Sequence, residues 1–440
     1  MSEALNVYLD GRFTGRYERT TAGRVGFAYD AAYSARPGAT PLSMSLPFGA
    51  RLPPRAVDAY FSGLIPEGAD ALEQIRRQHA LRSTDDAFSV LRHIGRDAPG
   101  AVQILPESEE ADVDARAQGD VTELSSEEFR GLMSDLGSGI GTTTAALQGR
   151  WSLPGAQRKM ALHRLASGAW GIPRDSTPTT HILKPAIPGF AHHDVNEFLT
   201  MRAAAALGLD TARTDVLDLG DGLSVLVSHR YDRLEVDGRW RRLHQEDLCQ
   251  ALSVMPGRKY QDQGGPGIAQ AADLFSEFEY PGEAASARAR FFDAVVFNVA
   301  AWATDAHAKN FSVMLRGNGQ QLAPLYDLAT YAPYGGGPQA ERSAMKVGDE
   351  YRLSAIGRRH LQKAARRLQV DADLADARID RIRDGITAAY DAASSELTHL
   401  PTLAAAARTI VDAVHAKAVE RGWGTATTRI DLGGSGDGST

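Results

Sequence analysis

The stretch WATDAHAKNFSVMLRGNGQQLAPLYDLATYAP, residues 302–333, decides how the rest of the 440-residue chain is read. Asp305 precedes Asn310 by five positions, immediately after the strongly apolar run RARFFDAVVFNVAAWA. Phosphoryl-transfer enzymes of the protein-kinase type use this pair of side chains at this offset: the carboxylate orients or accepts the substrate hydroxyl proton, and the carboxamide oxygen ligates Mg²⁺. Hard oxygen donors suit that cation, which keeps several of its waters. The spacing alone equally suits a polar loop that caps the preceding helix. Further on, Asp327 stands at the end of the apolar, strand-like run QQLAPLY, where a carboxylate entering a cleft needs a hydrogen bond or a cation to offset its desolvation. A turn aspartate would look the same in sequence.

Upstream, Lys184 closes the apolar run THILK, the place from which a strand lysine reaches a nucleotide phosphate; a lysine snorkelling from an edge strand is the plainer alternative. Glu197 could be its ion-pair partner, although Asp194 to Glu197 also matches a D-x-x-E helix start. SLPGAQRK, residues 152–159, is a glycine-bearing turn of the kind that lets backbone N–H groups approach phosphates, but it has neither the G-x-G-x-x-G nor the Walker spacing.

Around these motifs the chain divides by composition. Alternation in VYLDGRF and RVGFAYD, with a helical stretch near residues 57–81, predicts an N-terminal α+β unit over 1–105. Residues 106–128 are acidic and poor in large apolar groups, which predicts a solvated linker ending in a helix cap at Ser125 or Ser126. Strand-like runs and a helix over VNEFLTMRAAAALG fill 129–232. Helices, among them HQEDLCQALSV, dominate 233–424, and GGSGDGST closes a tail expected over 425–440. A net charge of −7 argues against a chain that coats nucleic acid by its own field. One cysteine, Cys249, allows no internal disulfide, and the absence of a signal pattern or an apolar run of membrane length leads to an expected cytoplasmic location without a membrane partner.

Taken in order, SLPGAQRK, TPTTHILK, ATDAHAKNFSV and LAPLYDLATYAP, together with QEDLCQAL and KYQDQGGPGIA, resemble the HipA family of toxin kinases over nearly the whole chain. The resemblance implies an α+β, bilobed protein-kinase-like (phosphoinositide-kinase-like) fold with an N-terminal α+β subdomain and a helical C-terminal lobe. It implies a Ser/Thr protein kinase using ATP and Mg²⁺, with Asp305 as catalytic base, Asn310 and Asp327 as metal ligands, and Lys184 on the phosphates. Ala156, Gln157, Arg158 and Lys159 would lie over the nucleotide, Tyr231 at the adenine, and His307 and Lys309 near the phosphates. Ser152 takes the position of a serine whose autophosphorylation ejects the nucleotide loop. The implied partners are a protein substrate, with glutamate-tRNA ligase as the expected target, and a HipB-like helix-turn-helix antitoxin through which operator DNA is reached; growth arrest or persistence is the implied outcome. Ala306, Pro154 and His229 depart from the best-known members and bear on loop mobility and adenine contacts. Rival readings are a small-molecule kinase with the same Asp-to-Asn spacing, and a catalytically inactive co-repressor, which would be expected to lack equivalents of Lys184, Asp305, Asn310 or Asp327.

Overall fold

The structure, a computed structural model, describes residues 3–111, 120–138, 152–155, 157–174, 176–187, 189–335 and 341–424. Ala156, part of the expected linker and the expected tail lie outside the described residues. The opening alternation forms β1 (Glu3–Leu9), β2 (Arg12–Arg19) and β3 (Val25–Tyr29), which join β4 (Val102–Pro106) in an antiparallel sheet of order β3-β2-β1-β4. Helices α1 (Ala31–Ser34), α2 (Pro54–Ser62), α3 (Ala69–Gln78) and α4 (Ala87–Ile94) belong to the same unit. The single helical stretch expected near 57–81 is interrupted, because Gly63, Pro66 and Gly68 end α2 before α3 begins. Leu5, Val7, Tyr17, Phe61 and Phe88 make its core.

A six-stranded antiparallel sheet of order β5-β7-β6-β8-β10-β9 follows, built from β5 (Val121–Leu124), β6 (Met160–Arg164), β7 (Trp170–Pro173), β8 (His181–Pro185), β9 (Thr214–Asp218) and β10 (Ser224–His229). Helix α5 (Ser126–Ser138) covers one face and α6 (His193–Ala206) the other. The two-residue period of a strand is visible in β10: Val225 and Val227 belong to the α5-side core, Leu226 to the α6-side core. The expected linker therefore needs correction at its end, since residues 121–124 pair with β7 and bury Leu124. Ser125 is the cap, exchanging hydrogen bonds with Glu128 (2.8 and 3.2 Å).

The remaining lobe holds the hairpin β11 (Arg233–Val236) and β12 (Arg239–Arg242), then β13 (His244–Asp247), α7 (Leu248–Ala251), α8 (Ile268–Ser276) and α9 (Pro281–Ala300). After α9 come β14 (Ser312–Arg316), β15 (Gly319–Leu322), the pair β16 (Arg342–Val347) and β17 (Glu350–Arg352), and helices α10 (Arg358–Arg367), α11 (Ala372–Ser395) and α12 (Pro401–Glu420). HQEDLCQALSV, expected as a helix, is a strand followed by one helical turn. Its first four residues pair with β14, and Asp247 caps the turn by accepting from Gln250 N. One large core runs from α6 through α9 and α11 to α12. Among the described residues no helix is long and apolar enough to cross a membrane.

Buried polar contacts fasten the N-terminal unit to both lobes. Asp97 accepts from Thr179 N (3.0 Å) and pairs with Arg230, Arg233 and Arg242 at 3.2, 2.8 and 3.0 Å. Glu246 of β13 accepts from Ser43 Oγ (2.5 Å) and Met44 N (2.8 Å).

Candidate active site

Where the two lobes and the N-terminal unit meet lies a cleft of about 480 Å³, a size suited to a nucleotide. From the sheet side β8 delivers Lys184, whose ammonium donates to Glu197 Oε1 of α6 (2.7 Å) and Asp327 Oδ1 (2.5 Å). Lys184 and Glu197 are buried, whereas the Asp327 side chain stays 37 % exposed into the cleft. Burial works against the Lys184 ammonium, but Asp327 and Glu197 outweigh it and hold its pKa above the lysine range. Burial likewise opposes the Asp327 carboxylate, yet Lys184 and Lys159 keep it well below the usual range. For Glu197 burial prevails over Lys184 and raises the carboxyl to about 7. The alternative of Glu197 as a helix cap is not what forms: α6 starts at His193 on a left-handed His192, and Asp194 instead accepts from Ser224 Oγ at 2.5 Å.

Facing this group, the chain leaves α9, turns at Trp302 (φ 57°) and presents Asp305. The Asp305 carbonyl accepts from His307 N (2.8 Å) and from Asn310 Nδ2 (2.7 Å), so the five-residue spacing closes a compact loop. Having donated its Nδ2, Asn310 has its amide oxygen left for a ligand. Tyr260 Oη donates to Asp305 Oδ1 (2.5 Å), and the surrounding protein raises Asp305 to about 6, chiefly by desolvation. Asp327 follows β15 in irregular backbone at φ 59° and does not end a strand as expected; Leu325 only bridges to Thr211.

Other expected residues are placed unevenly. Lys159 lines the cleft, where burial and the Lys184 charge push its ammonium down to about 8. Gln157 lines it too, its amide 3.5 Å from the Pro185 carbonyl. Arg158 is not brought in: its guanidinium turns out to Asp70 at 2.9 Å. Tyr231, just past β10, stacks on Tyr326 (5.8 Å) and donates to Gln245. His307 is buried and held neutral by that burial, with its pKa lowered to about 3. Lys309 lies in the cleft wall, but its ammonium is taken by Asp247 (2.6 Å) and the Gly63 carbonyl (3.2 Å). Ser152 is fully buried, its hydroxyl donating to the Leu64 carbonyl (2.5 Å) and its N–H to the Asp97 carbonyl (2.9 Å). Gly155, at φ 104°, bridges to Pro66, and a Cβ there would come within 2.7 Å of Lys159 Nζ.

Sequence reading missed the contribution of the N-terminal unit. Glu67 reaches the cleft, pairs with Lys259 (2.7 Å) and receives no signal from its unremarkable Pro-Glu-Gly setting. Tyr260 was signposted only by the KYQDQGGPGIA run. The donor chemistry fits one oxygen-preferring divalent cation: Asn310 and Asp327 offer a carboxamide and a carboxylate oxygen into open space, leaving further positions to phosphate and water. No cluster of three or more His, Cys, Asp or Glu suited to a protein-enclosed metal occurs among the described residues.

Residues 151–390 match the HipA-like C-terminal domain family, and residues 5–105 match the HipA N-terminal domain. Among curated proteins the chain is 35 % identical over 385 residues to Y4mE of Sinorhizobium fredii, covering 86 % of this chain and 89 % of that protein. It is 26 % identical over 331 residues, 72 % of each protein, to the serine/threonine-protein kinase toxin HipA of Shewanella oneidensis. Among solved structures, the HipA, HipB and operator DNA complex from Shewanella oneidensis MR-1 superposes with a TM-score of 0.78 at 22 % identity, over 94 % of this chain and 97 % of the matched one. That likeness concerns the fold alone.

Proposed function

The chain belongs to the HipA family, and on that premise we propose that it is a Ser/Thr protein kinase that transfers the γ-phosphate of ATP to a protein hydroxyl. The observation that carries this reading is the pairing of Lys184 with both Glu197 and Asp327 across a cleft from the Asp305–Asn310 loop. Bound ATP with Mg²⁺ supplies the phosphoryl group and neutralises charge on it. Asp305 orients the incoming hydroxyl and takes its proton. Asn310 and Asp327 hold the cation, while Lys184, held by Asp327 and Glu197, serves the phosphates. Lys159 and Gln157 close the nucleotide side, and Tyr231 lies at the adenine.

Ser152 is the residue we assign to self-inactivation. Its hydroxyl is buried against the Leu64 carbonyl, so a phosphate carrying about −1.5 to −2 charges has no room there and forces the 152–159 loop out. By family, the protein target is a translation enzyme such as glutamate-tRNA ligase, the outcome growth arrest or persistence, and the setting cytoplasmic. A HipB-like antitoxin would bring operator DNA, as in the complex of the Shewanella relative. All four residues whose loss would mark a catalytically inactive co-repressor are present and gathered at the cleft.

The test is incubation of unphosphorylated protein with γ-labelled ATP and Mg²⁺, followed by mass spectrometry of the Ser152 peptide. Label on Ser152 in the parent that vanishes in Asp305→Gln and Asp327→Ala supports the reading. A parent that binds ATP but transfers no label to itself or to protein substrates overturns it.

A further inference from the structure

Within the run KYQDQGGPGIA, residues 259–269, a tight loop precedes α8, which begins at Ile268. The Tyr260 carbonyl accepts from Gln263 N (3.1 Å) and Gly265 N (2.9 Å), and the Lys259 carbonyl accepts from Ala308 N (3.3 Å), stitching the loop to the 305–310 segment. Lys259 is anchored on its far side by Glu67 at 2.7 Å. The ring of Tyr260 stands edge-on to His307, with centroids 5.0 Å apart. Held in this way, the phenol hydroxyl meets Asp305 Oδ1 at 2.5 Å, whereas Oδ2 has no hydrogen bond among the described residues.

We propose that Tyr260 is a positioning residue for phosphoryl transfer: by holding Asp305 Oδ1 it fixes the plane of the carboxylate and turns Oδ2 to the substrate hydroxyl. The terminal torsion of an aspartate is broad and roughly two-fold, so without such a contact the plane of the carboxylate is poorly defined. In-line transfer depends on position more than on covalent chemistry, which makes a misdirected base costly. This rests on the kinase reading above, and it gives the KYQDQGGPGIA loop a task that its distance from Asp305 along the chain conceals.

Tyr260→Phe removes only the hydroxyl and keeps the ring against His307. The expected result is a kcat lowered on the order of 10- to 100-fold, with the KM for ATP and the melting temperature unchanged. A crystal structure of the variant is expected to show the Asp305 carboxylate rotated or in two orientations. A variant with parental kcat, or with Asp305 held in its original plane, overturns the positioning role while leaving the kinase reading intact. A parent enzyme that transfers no phosphate at all brings down the kinase reading and this role with it.

Discussion

Glu246 shows how a single buried group sets a pH response. Its carboxyl lies between β13 and the Ser43–Met44 turn, and burial pushes it up to about 8 despite the hydrogen bonds it accepts from Met44 N and Ser43 Oγ. In the unfolded chain it ionises near 4.5, so between roughly 4.5 and 8 the folded protein binds the extra proton. Stability from this group is therefore full below 4.5 and drains away as the pH rises through 8. Glu246→Gln keeps an acceptor for Met44 N and offers an amide to Ser43 Oγ. Urea denaturation is expected to find the variant level with the parent near pH 5 and ahead of it at pH 8, the gap widening by about 1 kcal/mol per pH unit. A gap that stays constant with pH would refute the assignment. Lys184 makes the complementary case. With Glu197 replaced by Ala, a buried ammonium would keep Asp327 alone, and a loss of about 3 kcal/mol in unfolding free energy is expected.

At the scale of one element, the loop that carries Tyr260 is shaped by a glycine. A Cβ at Gly265 would lie 2.1 Å from the Arg258 carbonyl oxygen and 2.7 Å from that of Tyr260, and backbone cannot give way as a side-chain tip can. Gly257, in the same segment, has nothing within 4 Å of its Cβ position. Gly265→Ala is accordingly expected to cut phosphoryl transfer at least as far as Tyr260→Phe does, while Gly257→Ala keeps parental kcat; matching rates for the two alanine variants would show that the loop does not steer Asp305. Helix α6 teaches a related lesson. D-x-x-E suggested a capped start, but Asp194 and Glu197 are buried and serve Ser224 and Lys184 instead, because the helix enters between the sheet and the large core. Local pattern located this helix, and of the two roles it left open for Glu197 the structure takes the ion pair with Lys184.

Across the whole molecule, Asp97 is one of the points at which the N-terminal unit is fastened to the two lobes. Three buried arginines converge on it, and one of them, Arg233, is already lowered to about 10 by burial and by its neighbour Arg230. Asp97→Ala leaves these three buried guanidinium groups with Asp232, which pairs with Arg230 and Arg233, and takes the carboxylate from Arg242; it is expected to cost about 3 to 5 kcal/mol, measurable by chemical denaturation. A fragment beginning at residue 106 would lose Asp97, the Leu64 carbonyl under Ser152, and Glu67. It is expected not to give a soluble, nucleotide-binding protein, and a fragment that binds ATP with parental affinity would refute the view that the N-terminal unit is part of the site's frame.

What the sequence determined by itself is local or serial. The strand alternation of β1 to β3, the apolar α9 leading into a polar loop, the five-residue step from Asp305 to Asn310 and the order of the four motifs all follow from spacings of a few residues or from their succession along the chain. Tertiary structure decided the rest. It turned Lys309 to Asp247 and Gly63, sent Arg158 out to Asp70, made 121–124 a strand, and chose Lys184 as the partner of Glu197. It also put Tyr260 on an aspartate 45 positions away and Asp327 on a lysine 143 positions away. The physical reason is that a side chain's short-range options are limited by backbone period and capping. Which distant charge or hydroxyl meets it in a desolvated cleft depends on how sheets and helices pack, and nothing in its own neighbourhood of the sequence carries that information.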